Sequence, residues 1–130
     1  MMKYLLTIAF VLTPLIALAD ERLICTPEKM CPPGKECEPA TNFDPGVLTI
    51  FDQTGAADFE DVYAGRTMKL RSSSNPGQQP RQFTGVINGG GSAVFSLMPD
   101  GNLTVEVTTP DGSSSSVLRL ISNCVPDNNS

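Results

Sequence analysis

The residues with the most chemical potential are four cysteines, Cys25, Cys31, Cys37 and Cys124, three of them within thirteen positions ("CTPEKMCPPGKEC"). Thiolates can ligate zinc, act in redox exchange or close into disulfides. A structural zinc site wants cysteines at two- to four-residue spacing, or histidine to complete the set. Here the intervals are five and five residues, the fourth cysteine is distant, and the chain has no histidine. The C-x-x-C spacing of a redox pair is also missing. Two disulfides are therefore expected, with no metal site and no cofactor.

Four cysteines allow three pairings. Each ties Cys124 to one of the first three and closes most of the chain, worth roughly 4–5 kcal/mol in the chain-entropy model, so loop length does not choose among them. Local turn chemistry does. Pro32-Pro33-Gly34-Lys35-Glu36 reads as a tight reversal that sets Cys31 against Cys37. Leu23-Ile24-Cys25 and Leu118 to Cys124 read as the first and last strands, and pairing the chain ends joins Cys25 to Cys124.

Catalytic chemistry finds little support. Nucleophilic catalysis needs a base beside the nucleophile, and histidine is absent. The serine runs Ser72–Ser74 and Ser113–Ser116 fall in polar connections, where serine bonds to backbone. No G-x-S-x-G occurs, so no catalytic residue is assigned and the chain reads as a non-enzyme. Asp100 to Glu106 carries oxygen-bearing side chains at alternate positions, with Asp111 twelfth. Val105 holds the sixth place, where a calcium loop needs glycine. Asp58, Glu60 and Asp61 read as a solvated charged face. One cluster is kept as a candidate binding patch: Arg66, Lys69, Arg71 and Arg81, beside the nine-residue connection Ser72 to Pro80. Polar loops on a rigid sheet are where binding residues concentrate. The plainer alternative is a charged strand that discourages edge association.

The N-terminus explains why disulfides are expected. Met1-Met2-Lys3, an apolar run from Tyr4 to Ile16, and Ala17-Leu18-Ala19 form a secretory leader over residues 1–19, with Asp20 the first mature residue. The run is shorter than the roughly 20 residues of a membrane-spanning helix, so no stable membrane insertion is expected after cleavage. The remaining 111 residues make one domain and carry 8 Lys+Arg against 14 Asp+Glu. That acidic balance argues against nucleic acid as a partner. A periplasmic or secreted location follows. The partner is an unidentified protein or envelope component, and the oligomeric state is open.

These residues need elements to position them. Short alternating segments separated by turn residues predict an all-β fold, an antiparallel β-sandwich or an eight-stranded barrel, over residues 20–124. Two Pro-Asp-Gly reversals, at Pro99 and Pro110, predict a three-stranded meander from Ala93 to Asn123. Upstream, strands are expected at Arg22–Cys25, Val47–Phe51, Phe59–Ala64, Thr67–Arg71 and Gln82–Ile87. Val47–Phe51 is nearly continuously apolar and should be central. Residues 125–130 have nothing to pack on and should form a flexible tail.

The leader, the C-x5-C-x5-C after it, the β-rich middle and the single late cysteine resemble small exported, cysteine-containing, β-rich proteins of Gram-negative bacteria. That group has no assigned function, so the resemblance implies a compartment and a fold type but no activity. The C-type lysozyme inhibitors, small periplasmic barrels with a disulfide, are a second comparison. Their Ser-Gly-x-x-Tyr loop has no counterpart, since Tyr63 is followed by Ala64-Gly65 with no such motif before it. The expected function is an exported, non-catalytic binding module, with inhibition of a secreted hydrolase or an envelope-associated structural role as alternatives.

Overall fold

A computed structural model describes residues 20–41, 43–61, 65–87, 90–108 and 117–127. Residues 1–19 with the expected leader, Tyr63, Asn88-Gly89, the Pro110 reversal with Asp111, and residues 128–130 lie outside the described residues. The strands are β1 (Glu21–Cys31), β2 (Glu38–Pro39), β3 (Gly46–Ile50), β4 (Ala57–Asp61), β5 (Arg66–Ser72), β6 (Arg81–Ile87), β7 (Gly91–Leu97), β8 (Asn102–Thr108) and β9 (Val117–Pro126). All but β2 form a closed antiparallel ring in the order β1-β3-β4-β5-β6-β7-β8-β9, with β9 returning to β1. The fold is thus an eight-stranded barrel rather than a sandwich.

Side-chain alternation explains the closure. Along β7, Gly91, Ala93, Phe95 and Leu97 are buried, while Ser92, Val94 and Ser96 between them are only half-buried. Cross-strand register then aligns Phe83, Phe95, Val105 and Leu120 as an inward row over four consecutive strands. Leu48 and Leu103 have no exposed surface, and Phe59 packs against Phe95 from the other side of the ring. Each such buried Leu or Phe is worth roughly 1.5–3 kcal/mol over leaving it in water. The interior is filled by side chains, as small eight-stranded barrels allow. Outward positions include Lys69, Thr84, Ser96, Glu106 and Arg119. That apolar-in, polar-out order is the reverse of a lipid-facing barrel. The apolar run of β3 is flanked by β1 and β4 and buried at four of its five positions, but in a closed ring no strand is more central than another.

Both disulfides pair as expected, Cys25 with Cys124 and Cys31 with Cys37. The Cys31–Cys37 loop holds the anticipated reversal: the Lys35 N–H donates to the Pro32 carbonyl at 3.2 Å, and Gly34 takes φ +70°. Pro33 followed by a left-handed glycine is the signature of a type II turn.

Two differences from the sequence reading concern the chain ends. The first strand runs on past Cys25 to Cys31, through Pro27. Pairing with β3 stops at Cys25 and pairing with β2 begins at Lys29, so Pro27 sits where only β9 flanks the strand. A residue lacking an N–H is tolerated where one edge carries no ladder. Between Pro27 and Lys29 the β9 register shifts, a bulge that reverses which parity faces inward. Before it, Leu23 and Cys25 share the interior face; after it, Met30 stands opposite inward-facing Leu120. The expected tail from Val125 is also corrected. Val125 and Pro126 belong to β9, opposite Ile24 and Leu23, because β1 begins early enough to pair with them. Asp127 then donates its N–H to the Arg22 carbonyl at 2.9 Å and pairs with the Arg22 guanidinium at 3.0 Å.

Candidate functional site

The four basic residues of the candidate patch do not form one surface. Lys69 and Arg71 share the outer face of β5, and Lys69 pairs at 3.2 Å with Asp58, its register partner on β4. Arg66 and Arg81 lie on the inward parity at opposite rims. Arg66 opens β5 opposite Asp61, and Arg81 opens β6 opposite Leu97. A strand of this length separates the two rims by roughly 20 Å at about 3.3 Å per residue. Only Lys69 and Arg71 are brought together.

The calcium-like run is similarly spread out. Asp100 Oδ1 accepts the Asn102 N–H at 3.0 Å and so caps a turn, while Glu106 lies four residues up β8, paired with Arg119 at 3.4 Å. At about 3.3 Å per residue these oxygens cannot converge on one cation. Among the described residues no group of three or more His, Cys, Asp or Glu is placed to hold a metal.

A different site emerges at the rim that carries Arg81. There the Arg81 guanidinium meets the Glu21 carboxylate at 2.9 Å. In the ring β1 and β6 stand four strands apart in either direction, so this ion pair crosses the barrel mouth from one wall to the opposite one. Beside it opens a cleft of about 470 Å³. Its floor is apolar, from Leu23, Leu97 and Cys124, and its rim carries Gln79, Met98 and Asp100. Met98 is 42% exposed. A smaller hollow of about 380 Å³ lies on the outer wall around Lys29, Asp100 and Ile121.

The connection from β5 to β6 borders this mouth and is internally bonded. The Ser73 N–H donates to the Gln82 carbonyl at 2.8 Å, and the Gln82 N–H donates to Ser74 Oγ at 3.0 Å. Asn75 and Gln78 exchange two bonds, Asn75 N–H to Gln78 Oε1 at 3.1 Å and Gln78 N–H to the Asn75 carbonyl at 3.0 Å. Serine, asparagine and glutamine thus satisfy the backbone locally, as such residues do in turns. Residues 75–79 remain exposed.

No family model, curated protein or solved structure matches the chain. The sequence pointed to the Ser72–Pro80 connection but missed Glu21, Met98 and the cleft. Glu21 and Arg81 are sixty residues apart and meet only because the ring closes; no local spacing announces them. The two closed disulfides point to an oxidising compartment.

Proposed function

We propose that this chain is an exported, non-catalytic binding module that engages a protein partner through the loops around the Glu21–Arg81 mouth. The observation that carries this reading is the β5–β6 connection, exposed yet bonded within itself, standing beside a cleft with an apolar floor. A preorganised loop loses little conformational freedom on association, so more of its contact energy appears as affinity. Exposed Met98 supplies an adaptable apolar contact at the rim. The filled interior favours a surface-binding role over carriage of a small molecule. The leader and the disulfides favour a periplasmic or secreted location.

The test is capture of partners from an envelope extract by the oxidised protein with crosslinking, repeated with Met98→Asp and with Lys69→Glu/Arg71→Glu. The mouth reading expects the captured partner to be lost with Met98→Asp and kept with the β5 variant. The opposite result moves the site to the outer wall. Inhibition of a secreted hydrolase is the second reading, favoured by the same ordered, exposed loop. It requires stoichiometric loss of activity when lysozymes or proteases are titrated with the protein.

A further inference from the structure

The two disulfides differ in what surrounds them. Cys25 is 1% exposed and Cys124 4%, inside the ring and part of the interior cluster. A thiolate must approach along the S–S axis, so this bond cannot be attacked while the barrel is closed. Cys31 is buried, but Cys37, five intervening residues further on, is exposed on the barrel's outside. Cys37 is the half of that bond that solvent reaches.

What this second bond holds is weakly held otherwise. β2 is two residues long and meets β1 at only two register positions, Met30 with Glu38 and Lys29 with Pro39. Pro39 has no N–H to donate, and neither do Pro32 and Pro33 in the turn. Beyond the turn bond, the Ala40 N–H donating to the Glu28 carbonyl at 2.9 Å is the tie that follows β2. β2 is not a member of the eight-stranded ring, whose pairings close without it.

Cys31 stands opposite Arg119 of β9 in the register, and the Arg119 guanidinium is itself paired with Glu106 at 3.4 Å. Glu36 and Glu38 flank the attacked Cys37 in sequence, which disfavours a thiol bearing carboxylates of its own and favours a dithiol whose only charge is the attacking thiolate.

We infer that Cys31–Cys37 is a reducible clasp, opened by an external dithiol while Cys25–Cys124 stays closed, and that its opening releases β2 from β1. In the first step a dithiol thiolate bonds to Cys37 Sγ, the Cys31–Cys37 bond breaks, and Cys31 leaves as thiolate. The second dithiol sulfur then attacks the mixed disulfide. Cys37 leaves as thiolate and the dithiol departs as a cyclic disulfide. Two electrons pass from the dithiol to the protein, and the dithiol's two protons end on the protein thiols. The released edge of β1, residues Glu28 to Met30, is then free to pair with another strand.

The test treats the oxidised full chain with graded dithiothreitol, quenches in acid, alkylates, and maps the labelled cysteines, with amide hydrogen exchange read in parallel. Cys31 and Cys37 are expected to label together at dithiol concentrations at least about tenfold below those that label Cys25 and Cys124, as access-controlled exchange requires. Over that range exchange at the Ala40 amide should rise while that at Phe95 stays slow. Labelling of all four cysteines together, or earlier labelling of Cys25 and Cys124, overturns the proposal. So does selective labelling that leaves Ala40 protected. Cys31→Ser/Cys37→Ser should reproduce the fast Ala40 exchange without any reductant; protection equal to the oxidised protein overturns the release of β2.

Discussion

Cys25 and Cys124 are register partners across the seam where the first strand meets the last, and their sulfurs are bonded at the same position. The covalent link and the backbone ladder thus close the barrel at one place. The ladder extends on both sides of it, from Leu23 with Pro126 to Cys31 with Arg119. Shutting this seam means that neither the first strand nor the last ends the sheet as an edge.

That position separates the energetic roles of the two bonds. Cys25–Cys124 spans 99 residues and Cys31–Cys37 spans six. In the chain-entropy model the first removes about 4–5 kcal/mol of unfolded-state freedom and the second roughly 2 kcal/mol. Cys25→Ala/Cys124→Ala should therefore lower unfolding free energy about twice as much as Cys31→Ala/Cys37→Ala. Urea unfolding of the two double variants measures the difference. Equal losses contradict a closing role for the seam bond.

The all-β class was legible where local chemistry decides, while sandwich and barrel stayed open. Short alternating segments between turn residues announced the antiparallel strands, and the Pro-Pro-Gly reversal set Cys31 against Cys37. The register of the seam was less legible. A strand containing Pro27 and a bulge breaks the simple alternation, so β1 read as ending at Cys25 and Val125 read as having no partner. Placement of the basic residues was illegible for a different reason. Arg81 follows Arg71 closely in sequence, yet it rises at the opposite rim from Arg66, and its carboxylate partner, Glu21, comes from the far wall. Contacts across a closed ring depend on all eight strands at once.

The β7–β8 turn makes a second prediction. Gly101 has φ +93°, its carbonyl accepts the Cys124 N–H at 2.7 Å, and a Cβ there would strike the Cys124 carbonyl oxygen. Gly101→Ala combines a left-handed strain with a backbone clash against the strand that carries the seam cysteine, a cost of about 2–3 kcal/mol. Asp100→Ala removes only the side-chain bond to the Asn102 N–H, about 1 kcal/mol. Thermal unfolding of both variants should rank Gly101→Ala as the more damaging. The reverse order would show that β9 yields easily at Cys124.

The outer wall of β5 is expected to be energetically quiet. The Lys69 side chain is 82% exposed and that of Asp58 22%, so the pair lies at the surface with its cation in water. Exposed pairs of this kind contribute about 0–1 kcal/mol and are screened by salt. Lys69→Ala should leave the unfolding midpoint in urea nearly unchanged at low and high salt alike. A large, salt-sensitive loss would assign β5 a structural charge network.

The ring contact across the interior supports the sharpest test of how the barrel is filled. Phe59 on β4 and Phe95 on β7 lie with centroids 5.1 Å apart and planes at 52°, though their strands are separated by β5 and β6. Only a filled interior lets such walls touch. Phe95→Ala should cost about 3–5 kcal/mol, a large share of a small domain's stability. Leucine keeps most of the volume, so Phe59→Leu and Phe95→Leu allow a double-mutant cycle in a protein that still folds. A tilted aromatic pair predicts a coupling of about 0.5–1.5 kcal/mol beyond the two separate losses. Additive losses would mean that each ring packs against its own wall and that the centre of the barrel is looser than the contact implies.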